Sequence, residues 1–183
     1  MKRFLAMVPA LGIAAGLWLA ATGLATAQDI SIKAFKGTWG GSAVANNRDS
    51  LYFGVTIRDL DVTITPNAEG FRIGWTTVIR RGGSPNKPKL RKKSVEMRFV
   101  NTGRKGVWKL ANSGDMLSGN PYGWARIKGR TLTLYVMAIN EGGDYAISRY
   151  ARTLSGTGMD LEFTAIRDGE PARIVRGKLV RNR

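Results

Sequence analysis

The chain contains neither cysteine nor histidine. Without cysteine there are no disulfides, no thiolate nucleophile and no thiolate metal site. Without histidine there is no imidazole to act as general base or metal ligand, and no Ser-His-Asp triad. Carboxylates, lysines and serines are what remains, so the composition argues against an enzyme and offers no metal or cofactor ligand set. Acidic residues are also scarce: 13 Asp+Glu against 29 Lys+Arg give a formal net charge of +16. A surface of that sign attracts anions. After the first 27 residues no apolar run is long enough to cross a bilayer as a helix. No amphipathic helical period, long repeat or low-complexity linker is present either.

What is there begins with a leader. Residues 1–27 read as an export signal: Lys2 and Arg3 are the positive region, Phe4 to Leu24 the apolar stretch, and Ala25-Thr26-Ala27 a small-residue cleavage site. An uncleaved membrane anchor is the alternative, since the apolar stretch approaches spanning length. Pro9, Gly12 and Gly16 weaken a permanent span, and the A-x-A ending favours cleavage after Ala27. Lys2-Arg3 is not a twin-arginine signal, and the lack of cysteine excludes a lipoprotein anchor. The expected product is one domain, residues 28–183, periplasmic or secreted. It would carry a net charge of +14 once Lys2 and Arg3 are removed. Stabilised by its core alone, it is long enough to bury most of its unfolded surface.

Beyond Ile32 the chain alternates apolar and polar residues with period two, the pattern of half-buried strands. Leu51, Phe53, Val55 and Ile57 share a face, as do Leu60, Val62 and Ile64 on the opposite parity. Turning both rows to one core requires a bulge or corner at Arg58-Asp59. Phe71, Ile73, Trp75, Thr77 and Ile79 form the next row, then Val95, Met97 and Phe99. Residues 112–122 have no period and read as a long loop. Trp124–Lys128 and Thr131–Ile139 make a hairpin about Gly129-Arg130, and strands follow at Tyr145–Thr153, from Met159 through Ala165, and at Ala172–Arg181. About eight to ten short strands joined by tight turns define an antiparallel all-β domain. A sandwich and a barrel both fit; consecutive hairpins without a long crossover favour a single up-and-down β-barrel, which leaves no exposed edge.

Gly37-Thr38-Trp39 at the head of the first strand resembles the G-x-W of the lipocalin and avidin-like barrels, the calycins. Asp144-Tyr145, with Tyr150 five residues on, is a second echo, spaced differently from the D-Y-x-x-Y of lipocalins. The resemblance implies that Trp39 closes the barrel bottom, under an arginine from a late strand stacked across its ring. Arg173 and Arg176 are the candidates for that arginine. It also implies an interior that holds a small apolar or amphipathic ligand against Trp39, Phe53, Phe71, Trp75, Phe99 and Phe163. Read from the residues alone, Trp39 is equally an ordinary core aromatic, and Trp75, Trp108 and Trp124 are packing residues or ligand-stacking residues.

The stretch Arg80 to Lys93, RRGGSPNKPKLRKK, has seven basic residues in fourteen and none acidic. Pro85, Pro88 and the glycines suggest an irregular loop presenting charge to solvent. Arg80, Arg81, Lys87, Lys89, Arg91, Lys92 and Lys93 would then contact an anionic membrane surface, lipopolysaccharide or polymer, or merely keep the protein soluble. Nucleic acid is disfavoured, because no aromatics interleave these charges. Asp59 with Asp61, and Asp160 with Glu162, are spaced to share a strand face but alternate with core residues. They should face outward rather than act as an acid/base pair. Two functions result: an exported barrel binding a small ligand inside, or a cationic envelope-interaction protein with a filled core.

Overall fold

The computed structural model describes residues 28–48, 54–84, 87–156 and 158–182, with backbone alone for those of residues 80–89. The leader, Leu51 and Phe53 lie outside the described residues. Ten strands follow one another: β1 (Gly37–Asn47), β2 (Val55–Asn67), β3 (Gly70–Ser84), β4 (Lys87–Asn101), β5 (Val107–Leu110), β6 (Tyr122–Lys128), β7 (Thr131–Ile139), β8 (Tyr145–Leu154), β9 (Met159–Arg167) and β10 (Glu170–Arg181). Each pairs antiparallel with its neighbours in sequence, and β10 pairs with β1 to close an up-and-down barrel. The closing register sets Trp39 against Arg181, Ala43 against Gly177 and Asn47 against Arg173.

Local chemistry fixes the hairpins. Between β9 and β10, Asp168 and Gly169 both take positive φ (46° and 86°), the backbone that matches the right-handed twist of two-residue hairpins. At the closing seam a Cβ on Gly177 would meet the Ser42 carbonyl and the Ala43 methyl. Glycine there lets β1 and β10 approach closely around the bend. Residues 112–122 hold one 3₁₀ turn, Met116–Ser118, capped by the Asp115 carboxylate accepting from Leu117 N at 3.0 Å.

One end of the barrel is sealed. A 3₁₀ turn, Ile32–Phe35, lies across it, with Phe35 fully buried. Trp39 is 3% exposed and its indole N–H donates to the Phe35 carbonyl at 3.1 Å. The Arg181 guanidinium stands 4.5 Å from the Trp39 ring centroid and donates to the Ala34 carbonyl at 3.1 Å. Phe71 stacks on Phe99 with centroids 5.0 Å apart, and Trp108 meets Phe71 edge-on at 5.4 Å. Ile30 N donates to Gly129 O at 3.1 Å, tying this segment to the β6–β7 turn.

Three expectations need correction. Neither Arg173 nor Arg176 stacks on Trp39. Strand β10 runs antiparallel to β1, so its last residues, not its first, reach the start of β1, and Arg181 takes that place. Strand β2 has no bulge at Arg58-Asp59: its register with β1 and β3 runs unbroken. Val55 and Ile57 instead face outward, 67% and 66% exposed. The interior at that level is lined by Thr56 and Arg58, so no apolar row is required there. Finally, the basic stretch is not an irregular loop: residues up to Ser84 and from Lys87 continue β3 and β4 as one long hairpin, with a register shift between Arg80 and Gly83.

Trp39→Ala should destabilise the protein by roughly 3–5 kcal/mol in chemical denaturation, the range for deleting a buried large aromatic. Arg181→Ala should cost less, about 0.5–1 kcal/mol, and should couple to Trp39 in a double-mutant cycle. Arg173→Ala should show no such coupling. A loss below about 1 kcal/mol for Trp39→Ala would remove its role as the seal.

Candidate functional site

Above the seal the inward rows do not meet across the barrel, and they leave a cavity of about 310 Å³. Its wall is apolar on β2, β4, β9 and β10, through Leu60, Val62, Val95, Leu161 and Val175. Its floor is aromatic. Trp75 on β3 reaches across to Tyr150 on β8 with ring centroids 4.8 Å apart, and Tyr150 meets Phe163 on β9 at 4.8 Å. Because β3 and β8 are not sheet neighbours, the Trp75–Tyr150 contact bridges the barrel interior. Below it lies the buried core that includes Phe71, Phe99 and Trp39.

The charge lining this cavity has one sign. Arg58, Arg91, Lys93, Arg152 and Arg173 line it, and among the described residues no acidic side chain does. Arg91 and Lys93 are exposed at the rim. Just inside, Asn47 accepts from Arg58 Nη2 at 3.1 Å and donates to the Thr56 hydroxyl at 3.3 Å. Arg152 is at the floor, 1% exposed. Among the described residues it is the one charged side chain that is fully buried.

The placement of Arg152 is unfavourable for an empty barrel. Its Nε and Nη1 have no hydrogen-bond partner. Its guanidinium carbon lies 5.2 Å from the Trp75 ring and 5.8 Å from the Tyr150 ring, contacts that offset part of the desolvation. Burial lowers its pKa from the ordinary arginine range to about 10. That shift corresponds to a cost on the order of 3 kcal/mol. The cost is present in full at every pH below about 10 and is relieved only as pH rises above that value toward the ordinary arginine range. Burial likewise pushes the Tyr150 phenol above its ordinary value of 10.0, against the opposing pull of its Ser148 hydrogen bond and the Arg152 charge.

The residues singled out in the sequence divide among three places. Trp75, Phe163 and Arg173 line the cavity, joined by Arg91 and Lys93 from the basic stretch. Trp39, Phe71 and Phe99 are core beneath it. Arg176 is on the outer face, where its Nε lies 3.0 Å from Glu162 Oε2, while Arg149 Nη1 holds Oε1 at 2.7 Å. These hydrogen bonds, Arg149's first, hold the Glu162 carboxyl below its ordinary range. The paired carboxylates thus sit outside, as their alternation implied. Lys92 points away from the cavity, and the side chains of Arg80, Arg81, Lys87 and Lys89 lie outside the described residues. Of the other tryptophans, Trp108 is core and Trp124 stacks on Tyr135 at 4.7 Å outside the cavity. Arg152 and Tyr150 were missed as cavity groups. Strand β8 carries an arginine on each parity, Arg149 and Arg152, so charge could not say which row turned inward.

Fold and site together define a closed up-and-down β-barrel with one sealed end and a cationic cavity. No family model and no curated protein matches the chain. Among solved structures, it resembles a protein of unknown function from the DUF3598 family of Nostoc punctiforme, at 13% identity and a TM-score of 0.57. That alignment covers 89% of this chain but 53% of the other, so the chain spans about half that protein's length. A weaker likeness, TM-score 0.38 and 12% identity, is to the S-type phycobiliprotein lyase CPES from Guillardia theta, over 84% of this chain and 94% of that one. At these identities the first likeness shows shared fold alone.

Tyr150 should be the last tyrosine to ionise in a spectrophotometric alkaline titration, because its phenolate would form in the barrel interior. Tyr150→Phe should delete that final step. A titration whose final step survives the substitution would place Tyr150 in water.

Proposed function

We propose that the protein is an exported carrier that holds one small amphipathic ligand inside its barrel. The observation that carries this reading is the cavity of about 310 Å³ above a sealed floor, at the lower end of the size range of small-molecule sites. Its wall offers apolar surface to an alkyl or ring system, and burial of that surface supplies the affinity. The cations offer a partner to a polar end. Export rests on the signal pattern of residues 1–27. The envelope-adhesion alternative loses part of its basis, because Arg91 and Lys93 turn toward the cavity mouth rather than away from the barrel.

The neutral fluorophore N-phenylnaphthylamine should bind with one-to-one stoichiometry and quench Trp75, with Trp75→Phe removing most of the energy transfer. Val95→Trp, which fills the cavity from its wall, should weaken the dye by at least about tenfold, the loss of one well-buried contact region. Its circular dichroism should stay unchanged, since added bulk enters open space rather than packed core. Dye binding indifferent to Val95→Trp would place the dye elsewhere and overturn the carrier reading.

A further inference from the structure

We infer that the ligand is a monoanion, carboxylate-headed, and that it enters head first to pair its charge with Arg152 on the cavity floor. This rests on the carrier reading and specifies its ligand. Three observations converge. Arg152 is buried, its Nε and Nη1 have no protein partner, and it lines the cavity. An arginine cannot escape such a position by losing its proton at physiological pH. Burial of an unpaired charge is among the least favourable arrangements a fold can keep, whereas one paired by charge-assisted hydrogen bonds is tolerated. Among the described residues no acidic side chain lines the cavity to serve as that pair. The missing partner is therefore of the kind that arrives with the ligand.

The charge at the floor also sets the valence of the head. One guanidinium stands there beside the Tyr150 phenol, which is neutral at physiological pH. A single negative charge balances it; a phosphate dianion would leave excess charge in the same apolar surroundings. The direction follows from the same placement. An anion held at the rim by Arg91 and Lys93 would remain in water and leave Arg152 unpaired. The rim cations instead raise the local concentration of anions and speed their entry, an effect that salt screens. The apolar tail then lies against the apolar wall that includes Leu60, Val62 and Leu161.

The test uses displacement of N-phenylnaphthylamine by three amphiphiles of one chain length: dodecanoate, dodecanol and dodecylammonium. Dodecanoate should displace the dye at least about tenfold more tightly than dodecanol, the advantage of hydrogen bonds to a charged partner. Dodecylammonium should be weakest. Arg152→Met should abolish the preference, keep dye binding and raise the melting temperature of the ligand-free protein, since it removes a buried unpaired charge. A purely structural arginine would lower the melting temperature when replaced. Independently of any variant, the carboxyl resonance of labelled dodecanoate bound to the unaltered protein should not titrate in the ordinary carboxylic-acid range. Equal displacement by dodecanoate and dodecanol, with the dye bound, would overturn the anion proposal and leave the carrier reading standing. A preference that survives in Arg152→Met, or a bound carboxyl that titrates as in water, would move the head to the rim and overturn the floor assignment. Failure of the dye and all three amphiphiles to bind would overturn both readings.

Discussion

Hydrogen bonding of β10 to β1 is the constraint from which the rest follows, because it turns a meander of hairpins into a surface with an inside. Once the seam is closed, every residue of alternate parity must occupy a bounded space. The short side chains near the seam, Ala43, Ala45 and Gly177, let the two strands bend together. The same register brings Arg181 over Trp39. One pairing therefore closes the wall and places the stacking arginine on the seal.

Inside that wall the composition changes along the barrel axis. At the sealed end, inward positions are large and apolar, and Phe71, Phe99 and Trp108 fill the section. Toward the other end the same strands turn Thr56, Arg58, Arg91 and Lys93 inward. Cations close together cannot pack as a dry core, since each would lose its hydration without a counter-charge. They do not fill the section as the aromatic residues below them do. The cavity is thus a consequence of the residue types that the alternation delivers to each level, and its boundary is where aromatic residues give way to basic ones.

This gradient also explains what could be read from the sequence. The period-two rows, the hairpin at Gly129-Arg130 and the inward row from Phe71 to Ile79 were legible because near the floor apolar and inward coincide. At the mouth they do not. Val55 and Ile57 are apolar and outside, Arg58 is charged and inside, and the rule that apolar residues mark the core invented a bulge there. Pro88 and the paired glycines suggested a loop where the chain continues as a hairpin, since a hairpin that extends past the packed core needs no inward apolar row. The stacking arginine was assigned by family pattern to the wrong part of β10; antiparallel register would have favoured its C-terminal end. Closure itself, hollow or filled, is a property of ten rows together and no single row reveals it.

Arg152 is where the local rules conflict most. Strand β8 could have turned Arg149 inward and kept Arg152 in water had it been displaced by one residue, but Tyr150 and Leu154 would then leave the interior. Aromatic burial through Trp75, Tyr150 and Phe163 outweighs the penalty on one cation, and the rings themselves reduce that penalty through their π faces. The register that builds the cavity floor therefore carries the guanidinium into it. Sequences relieve such a position readily, with methionine or leucine of similar volume, when charge serves no purpose. Here the fold keeps a charge on the lining of the cavity with its Nε and Nη1 unpartnered, and its stability is lower for it. The lining of the cavity and the stability of the core thus meet at this one side chain, and the barrel bears the cost.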